Sequence, residues 1–192
     1  MKKIILLLGI LLACSAVATA SDSLRTIYTS YIGVREATGR NDGPQVEMFL
    51  QHVGLRKGEP WCAAFVAYCL HKSGRASAPY SGWSPAFFPE RYRVRRDTTL
   101  LPGDVFGIYY QNLRRIAHVG FVDTCIAIKV VHSKDAKQPA RYFAPNTDFI
   151  PTVEGNTNNN GSREGIGVFR KLRPIKTLRY ISRYPLPQNV KP

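Results

Sequence analysis

Apolar residues recur at helical spacing in the first third of the chain and at strand spacing in the rest. Leu24, Ile27, Tyr28 and Tyr31 fall at i, i+3, i+4 and i+7, Ser23 can cap the turn before them, and Gly33 ends the run, which predicts a first helix. Val46, Phe49, Leu50 and Val53 repeat the spacing, with Pro44 near the first turn and Gly54 as the stop. A third helix begins close to Cys62; Phe65, Val66, Cys69 and Leu70 form its apolar face and Gly74 closes it. The stretch "APYSGWSPAFFPERY" (78–92) is rich in proline and aromatics and reads as a loop. Tyr80 and Trp83 are large side chains for a connection, so the same loop is a candidate cleft wall.

After the turn "LPGD" (101–104) the pattern turns to strands. Runs at 105–110, 118–124, 126–132, 149–154 and 167–170 are β-rich, and the second and third are joined too tightly for a helix between them. The segment 133–148 is polar and basic and reads as an inserted loop. Helices first and antiparallel strands later predict an α+β fold, with N-terminal helices packed on an antiparallel sheet. One domain, 21–180, accounts for this pattern, with a Pro-rich C-terminal tail at 181–192.

The first 20 residues stand apart. Lys2 and Lys3 precede a ten-residue apolar run, and Ala18-Thr19-Ala20 is a small-x-small site, so 1–20 reads as a signal peptide. The run is short for a membrane span. A lipoprotein alternative exists, in which Cys14 of "LLAC" is lipidated and anchors the chain. Either reading exports the protein, to the periplasm or outside the cell. Charge changes the picture further. The full chain has 27 Lys+Arg against 13 Asp+Glu, +14, and loss of Lys2 and Lys3 leaves +12. Such a balance favours polyanionic partners: nucleic acid, anionic lipid or an acidic wall polymer. The arginine run "RYRVRRD" (91–97) is read as a solvated face, with wall or membrane attraction as the sharper alternative.

Without Cys14 three cysteines remain, Cys62, Cys69 and Cys125, an odd number for an exported chain. No Cys-x-x-Cys occurs and the histidines lack ligand spacing, so no metal site and no cofactor are expected. Cys62 stands at a helix start, where the unused N–H groups and the dipole favour a thiolate. Taken alone, it reads more simply as a small buried hydrophobe. His118 opens the run "HVGFV", from which it can project into a cleft, whereas His132 ends the next strand as a rival. His52 and His71 read as satisfied surface residues near helix C-termini. In "TVEGNTN" (152–158), Glu154 and Asn156 lie two apart, so an extended segment points both the same way, and either could accept the Nδ1–H of His118. Cys69 shares a helix face with Cys62, two turns on, too far for a mutual disulfide. It reads as core or as a partner of Cys125.

Cys at a helix start, His at a strand start and a polar orienter further along the sheet form a set in this order. With the wording of "PWCAAFVAYCL", "GDVFGI", "HVGFV" and "EGNTNNNGSREGIGVFRKLRP", that set resembles the CHAP amidohydrolase/peptidase family, related to the NlpC-type, papain-like peptidases of the bacterial cell wall. The resemblance covers about residues 33–174. It implies a papain-like fold and a peptidoglycan hydrolase with Cys62 as nucleophile, His118 as general base and acid, Glu154 as the orienting residue and Asn156 as an auxiliary polar group. Trp61, beside the nucleophile, joins Tyr80 and Trp83 as a candidate substrate contact. The implied substrate is an amide of the stem peptide or of the sugar–peptide junction. The implied partner is peptidoglycan, with peripheral association with the envelope and no nucleic acid. The loop at 133–148 is longer than such connections usually are, and no separate wall-binding repeat is present. A non-catalytic binder of wall fragments on the same fold is the alternative, and a basic nucleic-acid-binding protein a remote one.

Overall fold

The computed structural model describes residues 23–132, 141–158 and 165–187. The signal segment with Cys14, the first half of the expected loop and the end of the tail lie outside the described residues.

Three helices precede the strands. Helix α1 covers 23–30, α2 Pro44–His52 and α3 Cys62–Lys72. Their limits follow the punctuation in the sequence. Pro44 occupies the first turn of α2, and Gly33, Gly54 and Gly74 follow the three helices with φ of 95°, 73° and 83°, a conformation side chains resist. α3 departs from the one-faced pattern. Ala63, Ala64 and Ala67 are buried along with Phe65, Val66, Cys69 and Leu70. Small alanines let neighbouring elements close over the helix, and it becomes the central rod of the molecule.

The strands are β1 Thr98–Leu100, β2 Val105–Tyr110, β3 Arg115–Val122, β4 Ile126–Val131, β5 Arg141–Phe143, β6 Phe149–Thr157, β7 Gly167–Pro174 and β8 Leu178–Ser182. They form two antiparallel sheets, one in the order β7-β6-β3-β2-β8 and one in the order β1-β4-β5. The molecule is therefore α+β, as the pattern predicted. One core lies under the helices, where Phe49, Phe65 and Tyr28 meet Val119, Phe121 and Val153. Tyr28 stacks on Phe121 at 4.7 Å between ring centroids. A second core, with Phe106, Val122 and Ile150 of the large sheet and Leu100, Ile128 and Tyr142 of the small one, sits on the other side.

Two expectations are corrected here, the loop at 133–148 and the tail boundary at 180. The runs at 118–124 and 126–132, with no helix between them, become β3 and β4 of different sheets. Asp123 fixes the corner between them. Its carboxylate accepts from Tyr28 Oη and Arg25 Nε, both at 2.8 Å, and pairs with Arg170, while its N–H donates to the Pro151 carbonyl. The described half of the expected loop at 133–148 contains β5, which pairs with β4 and buries Tyr142. β1, three residues long, has too few residues to show a period. The tail boundary at 180 falls inside β8, whose pairing with β2 and the burial of Ile181 and Tyr184 carry the folded unit further.

Candidate active site

Pro60 and Trp61 end the preceding loop in non-helical conformation, so Cys62 is the first residue of α3. The earliest intrahelical bond at this end runs from the Phe65 N–H to the Trp61 carbonyl, 2.9 Å. The N–H groups of Cys62, Ala63 and Ala64 have no acceptor within the helix, and the positive end of the dipole falls on the cysteine. Cys62 is 5% exposed and lines a cleft of about 440 Å³, with its thiol 3.8 Å from the Ser84 hydroxyl.

His118 approaches from β3. It is fully buried in mid-strand, not at the strand's opening, because Arg115, Ile116 and Ala117 are also part of β3. The register shift between Ile108 and Tyr109 leaves Ala117 as the extra residue before His118, a bulge that re-aims the strand here. β3 and β6 pair at Phe121↔Val153 and Val122↔Thr152, which sets Glu154 beside Gly120. A Cβ on Gly120 would lie 2.8 Å from Glu154 Cγ, so only glycine admits the glutamate at this place. His118 Nε2 donates to Glu154 Oε2 at 2.8 Å. The ring is thus turned the other way from the Nδ1–H orientation the sequence suggested. Nδ1 makes no formed hydrogen bond, yet it is the atom left for Cys62, and the two groups act strongly on each other's ionisation.

Each group's charge has a physical cause. Burial alone would raise the Cys62 thiol, but the neighbouring His118, the Ser84 hydroxyl and the Val119 N–H outweigh it and bring the thiol below its ordinary value. Burial would lower His118, but Cys62 and Glu154 carry it up to about 9. Burial would raise Glu154, but hydrogen bonds from Arg173 and His118 hold it far below the ordinary carboxylate range. Together these directions favour a thiolate–imidazolium pair backed by a carboxylate. Such a pair can attack an electrophilic carbon and return a proton to a leaving group.

Two expected site residues are placed elsewhere. Trp61 is not a substrate contact: its ring is fully buried, stacks on Phe49 at 5.9 Å, and donates its indole N–H to Glu36 at 2.9 Å. Asn156 does not reach His118. The pairing of β6 with β7 shifts register between Glu154 and Thr157, and Asn156 takes φ 50°, so the alternation that would align it with Glu154 is broken. Its amide instead accepts from the Trp61 N–H at 3.1 Å and donates to the Gly165 carbonyl at 2.8 Å, which anchors the entry to α3. Gly155 faces Trp61 and Phe65 so closely that a Cβ would lie 2.8–2.9 Å from them.

The expected cleft wall is present. Tyr80 and Trp83 line the cleft and are 65% and 53% exposed. The wall is held from behind by His71, which stacks on Tyr80 at 3.5 Å and bonds to His52 at 2.7 Å and to the Ala78 carbonyl at 2.9 Å. His52 and His71 are satisfied, as read. His132 is no rival, since it bonds to the Arg95 carbonyl. Cys62, Cys69 and Cys125 are all free; Cys69 is buried and burial raises its thiol well above the ordinary value, while Cys125 is exposed.

Sequence reasoning missed several partners. Thr152 donates to Glu154 Oε1 at 2.7 Å, and Arg173 donates to both its oxygens at 2.7 and 2.6 Å. Only the folded strand marks the arginine: in β7 Leu172 is 68% exposed while the Arg173 side chain is 12% exposed, a charge turned inward where an apolar residue faces out. Arg115 joins the cleft with its guanidinium 4.3 Å from the Trp83 ring centroid. Among the described residues no group of three or more His, Cys, Asp and Glu side chains is arranged to hold a metal ion. Compared with protein-family models, curated proteins and solved structures, the chain shows no match.

Proposed function

We propose that this chain is an exported cysteine hydrolase of the CHAP/NlpC, papain-like type, cleaving an amide bond of peptidoglycan. One observation carries the reading: His118, bonded to Glu154 through Nε2, leaves its Nδ1 for Cys62 at the first turn of α3, and Cys62 lines a cleft. In the reaction the Cys62 thiolate attacks the amide carbonyl carbon, and the N–H groups of the α3 first turn receive the developing oxyanion. The C–N bond breaks as His118 Nδ1 gives its proton to the leaving amine. A thioacyl enzyme remains. Water adds to it as His118 takes a proton, the C–S bond breaks, and the carboxylic acid leaves with the thiolate restored.

The cleft supports a peptide substrate with acidic character. Tyr80 and Trp83 offer flat apolar faces, and Arg115 supplies a cation for a carboxylate of the kind stem peptides carry. Whether the bond is within the stem peptide or at its junction with the sugar is decided by the products. The test is lysis of purified sacculi by the wild-type chain and by Cys62→Ala and His118→Ala. Both substitutions should abolish it, and retained lysis by either would sink the assignment. Sacculus binding without lysis by the wild type would mark a non-catalytic binder.

A further inference from the structure

Glu154 accepts four hydrogen bonds in a fully buried place. Oε1 takes those of Thr152 Oγ1 at 2.7 Å and Arg173 Nε at 2.7 Å; Oε2 takes those of His118 Nε2 at 2.8 Å and Arg173 Nη2 at 2.6 Å. That fills the acceptor capacity of a carboxylate and leaves no site for a proton of its own. The bidentate fork is one that only arginine supplies. We infer that Arg173 is a positioning residue of the proposed active site, the fourth charge of a buried Cys62–His118–Glu154–Arg173 chain, and that its charge is what lets Cys62 rest as a thiolate. The inference rests on the nucleophile reading of Cys62 given above.

The site gathers four charges in a place with little water. With Cys62 ionised, the signs along the chain alternate, minus, plus, minus, plus, and the site is neutral. Without Arg173 the same state carries one uncompensated negative charge, which a buried site resists. A proton then enters to restore neutrality, and it goes to the more basic anion. A thiolate is more basic than a carboxylate by about four pH units, so the thiol re-forms while Glu154 stays ionised. Arg173 therefore acts on Cys62 without touching it. The other titratable groups bearing on the cluster are Tyr110 of β2, which acts on Arg173, and Lys171 of β7, whose charge is felt by Glu154 and Arg173 but whose ammonium bonds to Thr157 and the Asn158 carbonyl and not to the carboxylate. Neither replaces the fork.

The test needs no substrate. Carboxamidomethylation of Cys62 by iodoacetamide is followed from about pH 4 to about pH 10 by peptide-resolved mass spectrometry, which separates Cys62 from the exposed Cys125. The full chain, R173Q and R173K are compared, with thermal unfolding as the check on folding. In R173Q the midpoint of reactivity should rise by about one pH unit or more, so that the rate at a pH below both midpoints falls about tenfold. R173K keeps the charge and should stay within about half a unit of wild type. An R173Q midpoint equal to a low wild-type midpoint overturns the inference and leaves the nucleophile reading standing. A wild-type midpoint at the ordinary thiol value overturns both. Should R173Q fail to fold, R173K decides: a retained midpoint supports the charge role, and one displaced upward overturns it.

Discussion

Cys62 and His118 are both nearly sealed from solvent, and each shifts the other toward its charged form. This coupling sets a pH window. His118 keeps its proton up to about 9, above the ordinary 6.5, so the ion pair persists from the lowered thiol value to about 9 and activity should decline above it. The stability that pairing lends through His118 is fully present below the ordinary imidazole value and is lost as pH rises through about 9. Thermal unfolding across that range, compared with His118→Asn, checks this; a melting temperature that falls equally in both chains contradicts it. Glu154→Gln keeps the shape and removes the charge behind the imidazole. It should lower kcat by about a hundredfold or more, in the range of acid–base contributions, as measured by release of new amino groups from sacculi. Asn156→Ala belongs to a different class. It frees the buried Trp61 N–H and should cost about 1–3 kcal/mol of stability in denaturant titration, with a smaller effect on kcat than Glu154→Gln.

At the scale of elements, α3 and β3 meet where the pairing of β3 with β6 ends, and close-fitting glycines make the meeting possible. Gly120→Ala sets a methyl group against Glu154 Cγ and the Phe106 ring, 2.8 and 3.0 Å from where they now stand. The substitution should cost about 1–3 kcal/mol and reduce activity by displacing Glu154; a variant with wild-type stability and kcat would contradict the packing described. The same elements show what the sequence carries in plain view. α2 and α3 are marked by period and by Pro and Gly at their ends, and the order Cys62, His118, Glu154 survives folding as a line of contacts. Local alternation failed at Asn156 because a left-handed residue and a register shift interrupt it. Trp61 was misjudged because its partner, Glu36, lies 25 residues away, and nothing near the tryptophan announces it. Arg173 went unread for the same reason, since pairing across β6 and β7 decides which of its neighbours it meets. β5 and β8 are strands made by their partners more than by their own residues.

For the whole molecule, the helical core positions the thiol and the large sheet positions its base and carboxylate, with the cleft opening on the loop that carries Tyr80 and Trp83. Under the proposed function, the excess of basic residues would be a separate means of holding an acidic polymer. Binding of Cys62→Ala to sacculi should weaken several-fold as salt rises from about 0.1 M to about 1 M, which shortens the Debye length from about 10 to about 3 Å. A bound fraction indifferent to salt in a pelleting assay would contradict an electrostatic attachment. The measurement that bears most directly on the account is mass spectrometry of peptidoglycan fragments after digestion, with the Cys62→Ala protein as control. The account predicts that the wild-type chain releases fragments in which one amide has become an amine and a carboxylate, with one water gained per cut, and that Cys62→Ala releases none. Intact fragments from the wild type, or the same cuts from Cys62→Ala, would contradict it.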